Sequence, residues 1–143
     1  LLCDPAWTME AIGNLVKNAL DHTSAGGIIR IEWDKAPAAV RIRVSDDGNG
    51  ILPEDIHHIF KRFYRSRKSL DTQGIGLGLP LAKSIVEGQG GTISVHSTPH
   101  VGTTFLLLFK DNFIVHTTSR QNFAADQQIP LPYEIVRQKF TCL

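Results

Sequence analysis

The chain of 143 residues has no long hydrophobic run, so no membrane-spanning helix is predicted within it. Its longest uninterrupted apolar stretch is "FLLLF" at 105–109, which is far too short to cross a bilayer. The N-terminus has no basic region followed by an apolar stretch and a small-residue cleavage site, so no secretory signal is predicted. We therefore expect a cytoplasmic chain, or the cytoplasmic part of something larger, without direct membrane contact.

The chain also has little net charge. Its formal charge of +1 predicts no general attraction to nucleic acid or to an anionic membrane, so any electrostatic function must be local. Hydrophobic residues at 42% and charged residues at 20% are typical of a folded soluble protein, and the length is that of one domain.

Cysteine is scarce, and Cys3 and Cys142 stand near opposite ends of the chain. Without a CxxC pair or a Cys/His cluster, the sequence predicts neither a zinc site nor a disulfide framework, and unpaired thiols are favoured. The sequence opens at Leu1 without a methionine and close to a helical pattern, which indicates an excised fragment.

Hydrophobic periodicity predicts an α+β fold. Helical spacing and alternation predict, in order, a helix over 5–23, strands over 28–33 and 40–46, a short helix within 52–60, a helix from Pro80 to near Gly88, and strands within 90–97 and 102–110. Paired strands between helices favour an α/β sandwich with a mostly antiparallel sheet. Residues 111–143 follow no such pattern, so we predict a domain over 1–110 and a C-terminal extension over 111–143 of unknown role.

The stretch "GIGLGLPLAKS" at 74–84 resembles a phosphate cradle but fits neither of the two common ones. A GxGxxG fingerprint that starts at Gly74 would need a third glycine where Leu79 stands. A P-loop that ends in Lys83 and Ser84 would need glycines in place of Leu77 and Ala82.

Six short motifs in a fixed order carry a resemblance to a known family. They are "NLVKNA" at 14–19, "DDGNG" at 46–50, "IFKRFYR" at 59–65, "GIGLGL" at 74–79, "GG" at 90–91 and "GTTF" at 102–105. Over residues 4 to about 109 the chain resembles the catalytic ATP-binding domain of two-component sensor histidine kinases, part of the wider superfamily that includes DNA gyrase. The resemblance implies a two-layer Bergerat-type fold with helices on one face of a mixed, mostly antiparallel sheet. It also implies ATP and Mg²⁺ as cofactors.

The resemblance assigns the phosphate end of the site to the first helix. Asn14 and Asn18 are one helical turn apart and share a face. In the family the second asparagine holds magnesium, a role that falls on Asn18, while Asn14 supports the phosphates. A neutral amide oxygen is a reasonable Mg²⁺ ligand beside waters and phosphate oxygens. The alternative is that both asparagines belong to a solvated helix face.

The resemblance assigns adenine recognition to Asp46, next to Gly48 and Gly50, whose missing Cβ atoms let the backbone approach the base. The alternative is an ordinary Asp-Gly turn. His22 matches a position near the base, with a plain surface histidine as the alternative. The resemblance also implies a flexible lid, framed by Gly74, Gly76 and Gly78, whose backbone closes over the triphosphate of ATP. The other residues that it implies in nucleotide binding are Leu79, next to these glycines, and Thr103 of the last strand.

The basic run from Lys61 to Lys68 precedes the lid glycines. Such a run is usually a solvated face, but beside a triphosphate it also neutralises charge, and Arg65 is the predicted catalytic residue of this run. Phe60 and Phe63 are predicted to form a hinge that packs the lid onto the body.

Asn14 separates the branches of the superfamily. The hydrolytic members carry a glutamate there as general base, and an amide cannot take a proton at neutral pH, so the sequence favours a kinase over a hydrolase. None of the six histidines stands in a dimerisation-helix motif, so the acceptor histidine is expected on a dimerisation domain outside this chain, with a response regulator downstream. Asp21, where many relatives have a lysine, puts an acid near the site. The alternatives are a non-catalytic nucleotide-dependent interaction module and a serine kinase that regulates a sigma factor, although "FKRFYR" counts against the latter.

Overall fold

A computed structural model describes residues 4–36, 39–66, 74–110 and 134–139. The elements are α1 (Pro5–His22), β1 (Ile28–Ala36), β2 (Ala39–Asp46), α2 (Pro53–Ile56), α3 (Gly78–Gly88), β3 (Thr92–Thr98), β4 (Gly102–Lys110) and β5 (Glu134–Lys139). No helix within these ranges is both long enough and apolar enough to span a membrane.

The five strands form one mixed sheet in the order β3-β4-β2-β1-β5. Three of the pairings are antiparallel, and β5 runs parallel to β1. The predicted α+β fold with a mostly antiparallel sheet is therefore confirmed. The strand β5 lies within the segment for which the sequence predicted no pattern; the division of the chain at residue 110 stays a prediction.

The core lies between the sheet and the two long helices. Along β4 the side chains alternate between buried and half-buried, because successive residues of a strand point to opposite faces. The buried set, which includes Phe105 and Leu107, joins one cluster with Leu15 of α1 and Val86 of α3. Since α1 and α3 also contact each other, both helices form a layer over the same side of the sheet.

The helix ends follow local chemistry, and α3 begins earlier than the sequence predicted. Asp4 caps α1 as expected, because its carboxylate accepts hydrogen bonds from the backbone N–H groups of Ala6 (2.8 Å) and Trp7 (3.3 Å). The short helix α2 ends at Ile56, and the chain then continues in turns. The helix α3 begins two residues before Pro80, at Gly78, which is possible because a proline in the first turn has no N–H bond to lose. The sequence also predicts a turn at Pro37 between β1 and β2, but Pro37 lies outside the described residues.

Candidate nucleotide-binding site

A cavity of about 700 Å³ lies between the C-terminal half of α1, the loop after β2 and the start of α3. It brings together most of the residues that the sequence predicted for the site: Asn14, Asn18, His22, Gly50, Arg65, Gly74, Gly76, Gly78, Leu79 and Thr103. Asp46 and Gly48 do not line the cavity, but they adjoin it through Thr103 and His22, as described below.

The two asparagines of α1 both line the cavity and both are half-buried. The Nδ2 group of Asn14 donates to the backbone carbonyl of Glu10 at 2.9 Å and to Glu10 Oε1 at 3.2 Å. With its amide nitrogen turned toward Glu10, the Asn14 oxygen lies toward Gly78: a Cβ added to Gly78 would stand 3.2 Å from Asn14 Oδ1. The amide of Asn14 is therefore held in one orientation at the start of α3.

Asp46 ends β2 and is held by the backbone of two neighbouring segments. Its Oδ1 accepts the N–H of Gly48 at 2.9 Å, and its carboxylate also accepts the N–H of Thr103. Burial raises the pKa of Asp46 above its usual value, and the two backbone hydrogen bonds and the charge of His22 oppose that shift. The carboxylate is thus a fixed, partly desolvated hydrogen-bond acceptor, and it lies behind Thr103, which lines the cavity.

The two glycines after Asp46 are required by contacts within the protein, which were not predicted from sequence. A Cβ on Gly48 would stand 2.3 Å from the carbonyl oxygen of His22, and one on Gly50 would stand 2.2 Å from the carbonyl oxygen of Thr98. Gly50 also has a φ of +65°, in the left-handed region that favours glycine. The loop is closed onto α1 by Asn49, whose N–H donates to the His22 carbonyl at 3.1 Å. The two glycines therefore let this loop pack against the backbone of His22 and Thr98, and this requirement does not depend on a bound ligand.

The two described flanks of the predicted lid are joined to each other. The N–H of Phe63 donates to the carbonyl of Gly76 at 2.9 Å. Gly76 has a φ of +71°, and a Cβ on it would stand 2.8 Å from the carbonyl oxygen of Tyr64. Arg65, next in the chain, lines the cavity. Residues 67–73, including the basic Arg67 and Lys68, lie outside the described residues.

Phe60 and Phe63, both predicted to pack the lid onto the body, differ in their packing, while their role as a hinge stays a prediction. Phe60 packs against the core, with its ring 6.3 Å from that of Phe105 in an edge-on arrangement, and Lys83 Nζ lies 5.3 Å from its centroid. Phe63 instead is 70% exposed and has a left-handed φ of 63°, which turns its side chain away from the body. Of the two phenylalanines, Phe60 is therefore the one that packs this segment onto the core.

A hydrogen bond that was not predicted from sequence joins α2 to the lid flank, the segment from Phe63 to Arg65. The hydroxyl of Tyr64 donates to Asp55 Oδ1 at 2.5 Å, and the Tyr64 ring lies 5.4 Å from that of His58. Asp55 is buried, and both Asp55 and Tyr64 line the cavity. From sequence, Asp55 could be interpreted only as a favourable charge in the first turn of α2, because its partner Tyr64 comes from an irregular segment.

The donor set at the phosphate end suits magnesium better than a transition metal. Within the described ranges no group of three or more His, Cys, Asp or Glu side chains is placed to hold a metal ion. Asn18 lines the cavity, and its side-chain amide has a neutral oxygen of the kind that Mg²⁺ accepts when phosphate oxygens and waters complete its octahedron. Asn18 thus fits a nucleotide-bound Mg²⁺.

Comparison with known proteins agrees with this site. Residues 3–112 match the family model described as histidine kinase-, DNA gyrase B- and HSP90-like ATPase. The sensor protein IrlS of Burkholderia pseudomallei is 46% identical over 102 residues, which are 70% of this chain and 22% of that protein. The sensor histidine kinase YvrG of Bacillus subtilis is 38% identical over 108 residues, which are 75% of this chain and 19% of that protein. The structure of the mycobacterial sensor histidine kinase MprB superposes with a TM-score of 0.69 at 28% identity, over 75% of this chain and 74% of that one.

The chain belongs to the family of histidine kinase-, DNA gyrase B- and HSP90-like ATPases. The predicted resemblance to the catalytic ATP-binding domain of sensor histidine kinases is confirmed. The chain spans about a fifth of the length of the curated relatives named above.

Proposed function

We propose that this domain binds ATP with Mg²⁺ and transfers the γ-phosphoryl group to a histidine of a separate dimerisation domain, in a two-component pathway with a response regulator downstream. The observation that carries the proposal is Asn14: an amide, not a carboxylate, faces the cavity one helical turn before the predicted magnesium ligand Asn18.

At the base end, Asp46 is the acceptor for the adenine amino group. Its carboxylate is fixed by the N–H groups of Gly48 and Thr103, so binding requires no reorientation of the acceptor. His22, which lines the cavity at the end of α1, borders the same region. Gly50 shapes the loop at this end of the cavity, as its left-handed φ and its approach to Thr98 require.

At the phosphate end, Asn18 would hold the ion, and Mg²⁺ supplies charge neutralisation for the transferring phosphoryl group. Asn14 supports the phosphates from the neighbouring turn of α1. Gly78 and Leu79 open α3 beside them, and Arg65 brings a guanidinium into the cavity from the lid flank. A guanidinium pairs well with phosphate because its planar fork of donors matches two oxygens at once.

The same arrangement explains why transfer would be favoured over hydrolysis. Water attack needs a general base, and the amide of Asn14 cannot accept a proton at neutral pH. Glu10 carries a carboxylate, but its Oε1 accepts from Asn14 Nδ2, its side chain is exposed, and it is not among the residues that line the cavity. Positioning and charge neutralisation suffice for phosphoryl transfer when the nucleophile arrives on another domain.

The proposal includes a cytoplasmic location, as the catalytic part of a membrane-bound sensor kinase. The support is the family membership together with the sensor kinase names of the relatives.

The test is transfer in trans. The purified chain is incubated with Mg²⁺, radiolabelled ATP and a histidine-containing dimerisation domain from a relative, and the label on the acceptor is assayed for acid lability. We expect acid-labile phosphohistidine on the acceptor, none on the chain itself, and loss of transfer in Asn18→Ala. ATP binding without transfer to any acceptor would support a non-catalytic interaction module instead, and an acid-stable phosphoserine would support a serine kinase.

A further inference from the structure

The segment that carries Arg65 is held at the two residues that precede it. Phe63 is joined through its backbone to Gly76, Tyr64 is joined through its side chain to Asp55, and Arg65 then enters the cavity. The backbone carbonyl of Tyr64 packs against Gly76, where a Cβ would stand only 2.8 Å away.

Asp55 is a rigid anchor because its own backbone is fixed in α2. Its N–H donates to the Leu52 carbonyl at 2.9 Å, and its carbonyl accepts from His58 at 2.7 Å and from Ile59 at 3.1 Å. Ile59 belongs to the hydrophobic core. The Asp55 side chain is only 8% exposed, so the bond from the Tyr64 hydroxyl is made in a low-dielectric setting, where hydrogen bonds to a charged acceptor are strong.

We propose that Tyr64 and Asp55 are positioning residues that hold Arg65 over the phosphate end of the cavity. The proposal rests on the proposed function of Arg65 as a phosphate ligand. An arginine side chain loses rotamer entropy when it binds, and an unfixed backbone adds to that loss, so a guanidinium binds phosphate best when its own main chain is already fixed. The Tyr64 hydroxyl supplies that restraint from the residue next to Arg65.

The competing explanation is that the Tyr64–Asp55 bond only stabilises the fold. The two explanations differ in how Tyr64 and Arg65 couple. If Tyr64 acts through Arg65, removal of the hydroxyl weakens ATP binding only while the guanidinium is present. If it acts on the fold, it weakens ATP binding equally with and without Arg65, because independent effects add.

The experiment is a double-mutant cycle on the full chain with Tyr64→Phe, Arg65→Ala and the double variant. The measurement is calorimetric affinity for ATP with Mg²⁺ and for adenosine. Tyr64→Phe keeps the ring against His58 and removes only the hydroxyl. Thr104→Val is the matched control. It removes a hydroxyl of β4 that donates to Ser45 Oγ of β2 at 3.0 Å, and Thr104 is not among the residues that line the cavity. Thermal unfolding without nucleotide reports the fold in each variant.

We expect Tyr64→Phe to weaken ATP binding about tenfold in the Arg65 background and less than about twofold in the Arg65→Ala background, with adenosine affinity and the Thr104→Val control unchanged. Asp55→Asn keeps an acceptor oxygen but loses its charge, so a smaller loss is expected there. Equal losses in both Arg65 backgrounds, or an equal loss for adenosine, would overturn the inference and leave the proposed function intact. If Arg65→Ala itself leaves ATP affinity unchanged, the proposed role of Arg65 and the inference both fail.

Discussion

Gly78 lies directly against Asn14, so that a Cβ on Gly78 would stand 3.2 Å from Asn14 Oδ1. This is tighter than an ordinary van der Waals contact between carbon and oxygen. It brings the first residue of α3 against the polar face of α1, at the place where the phosphates are proposed to bind. The lack of a side chain at Gly78 is therefore a requirement of the site more than of the helix.

Gly78→Ala should separate stability from nucleotide binding. Gly78 is the first residue of α3 and has no left-handed φ, so alanine there mainly restricts the unfolded chain, and we expect the unfolding temperature to stay the same or to rise. The added methyl group must displace the Asn14 amide, so we expect weaker ATP binding by calorimetry. Gly88→Ala is the matched control, since it lies in the same helix and a Cβ there would meet nothing within 4 Å. Equal ATP affinities of the two variants would contradict this role of Gly78.

Asp46→Ala should weaken ATP binding by about one to two decades, because it removes a charge-assisted hydrogen bond that contributes roughly 1.5 to 3 kcal/mol. Guanine presents a carbonyl where adenine presents the amino group, so the substitution should also reduce the preference for ATP over GTP. Calorimetry with both nucleotides measures the two effects. Unchanged ATP affinity in a variant with an intact fold would remove Asp46 from base recognition.

The stability of the nucleotide-free protein should carry the signature of the buried Asp46 carboxyl. Burial raises the pKa of Asp46 in the native state above its ordinary value of 3.8, so the native state holds this proton more tightly than the unfolded state. The contribution of Asp46 to the unfolding free energy is then greatest below pH 3.8 and is lost as the pH rises through the native pKa.

The measurement compares urea unfolding of the wild type and Asp46→Asn across this pH range. The difference in unfolding free energy, wild type minus variant, should fall with rising pH and become constant above the native pKa. A difference that rises with pH would mean that hydrogen bonds from Gly48 and Thr103 outweigh burial.

The parts of the fold that depend on local pattern were predictable from sequence. The helix α1 carries its own cap in Asp4, and the run of large apolar residues in "FLLLF" predicts the strand β4. The strand β5 was not predictable, because "EIVRQK" at 134–139 places its two apolar residues side by side and lacks alternation. Its pairing depends on β1, a non-local partner that no sequence window contains.

The candidate site likewise contains residues whose positions were predictable from sequence and residues whose positions were not. The spacing of Asn14 and Asn18 predicted a shared helix face, the family resemblance predicted that both belong to the nucleotide site, and both line the cavity. The bond between Tyr64 and Asp55 was not predictable, because it joins α2 to an irregular segment. The exposure of Phe63 was missed for a related reason: its left-handed φ is set by the closure onto Gly76, and no side-chain pattern reports it.

Asn14→Glu tests whether this position sets the balance between transfer and hydrolysis. The isolated chain is expected to bind ATP, to turn it over very slowly and not to label itself, because it offers neither a general base at Asn14 nor an acceptor histidine in a dimerisation motif. A carboxylate at residue 14 supplies the base, so ATP hydrolysis should rise relative to transfer to an added acceptor. Phosphate release and acceptor labelling, measured in parallel, give the ratio.

The controls for Asn14→Glu follow from what its side chain contacts. Asn14→Gln has the length of glutamate but no base, so a rise in hydrolysis there would have to come from altered positioning. Glu10 stands one turn away and accepts from Asn14 Nδ2, so a glutamate at residue 14 would face a like charge. Glu10→Gln combined with Asn14→Glu removes that repulsion, and we expect it to retain the raised hydrolysis. Fast hydrolysis by the unmutated chain that persists in Asn14→Ala would refute the kinase assignment, because the base would then lie elsewhere and the chain would belong with the hydrolytic members of its family.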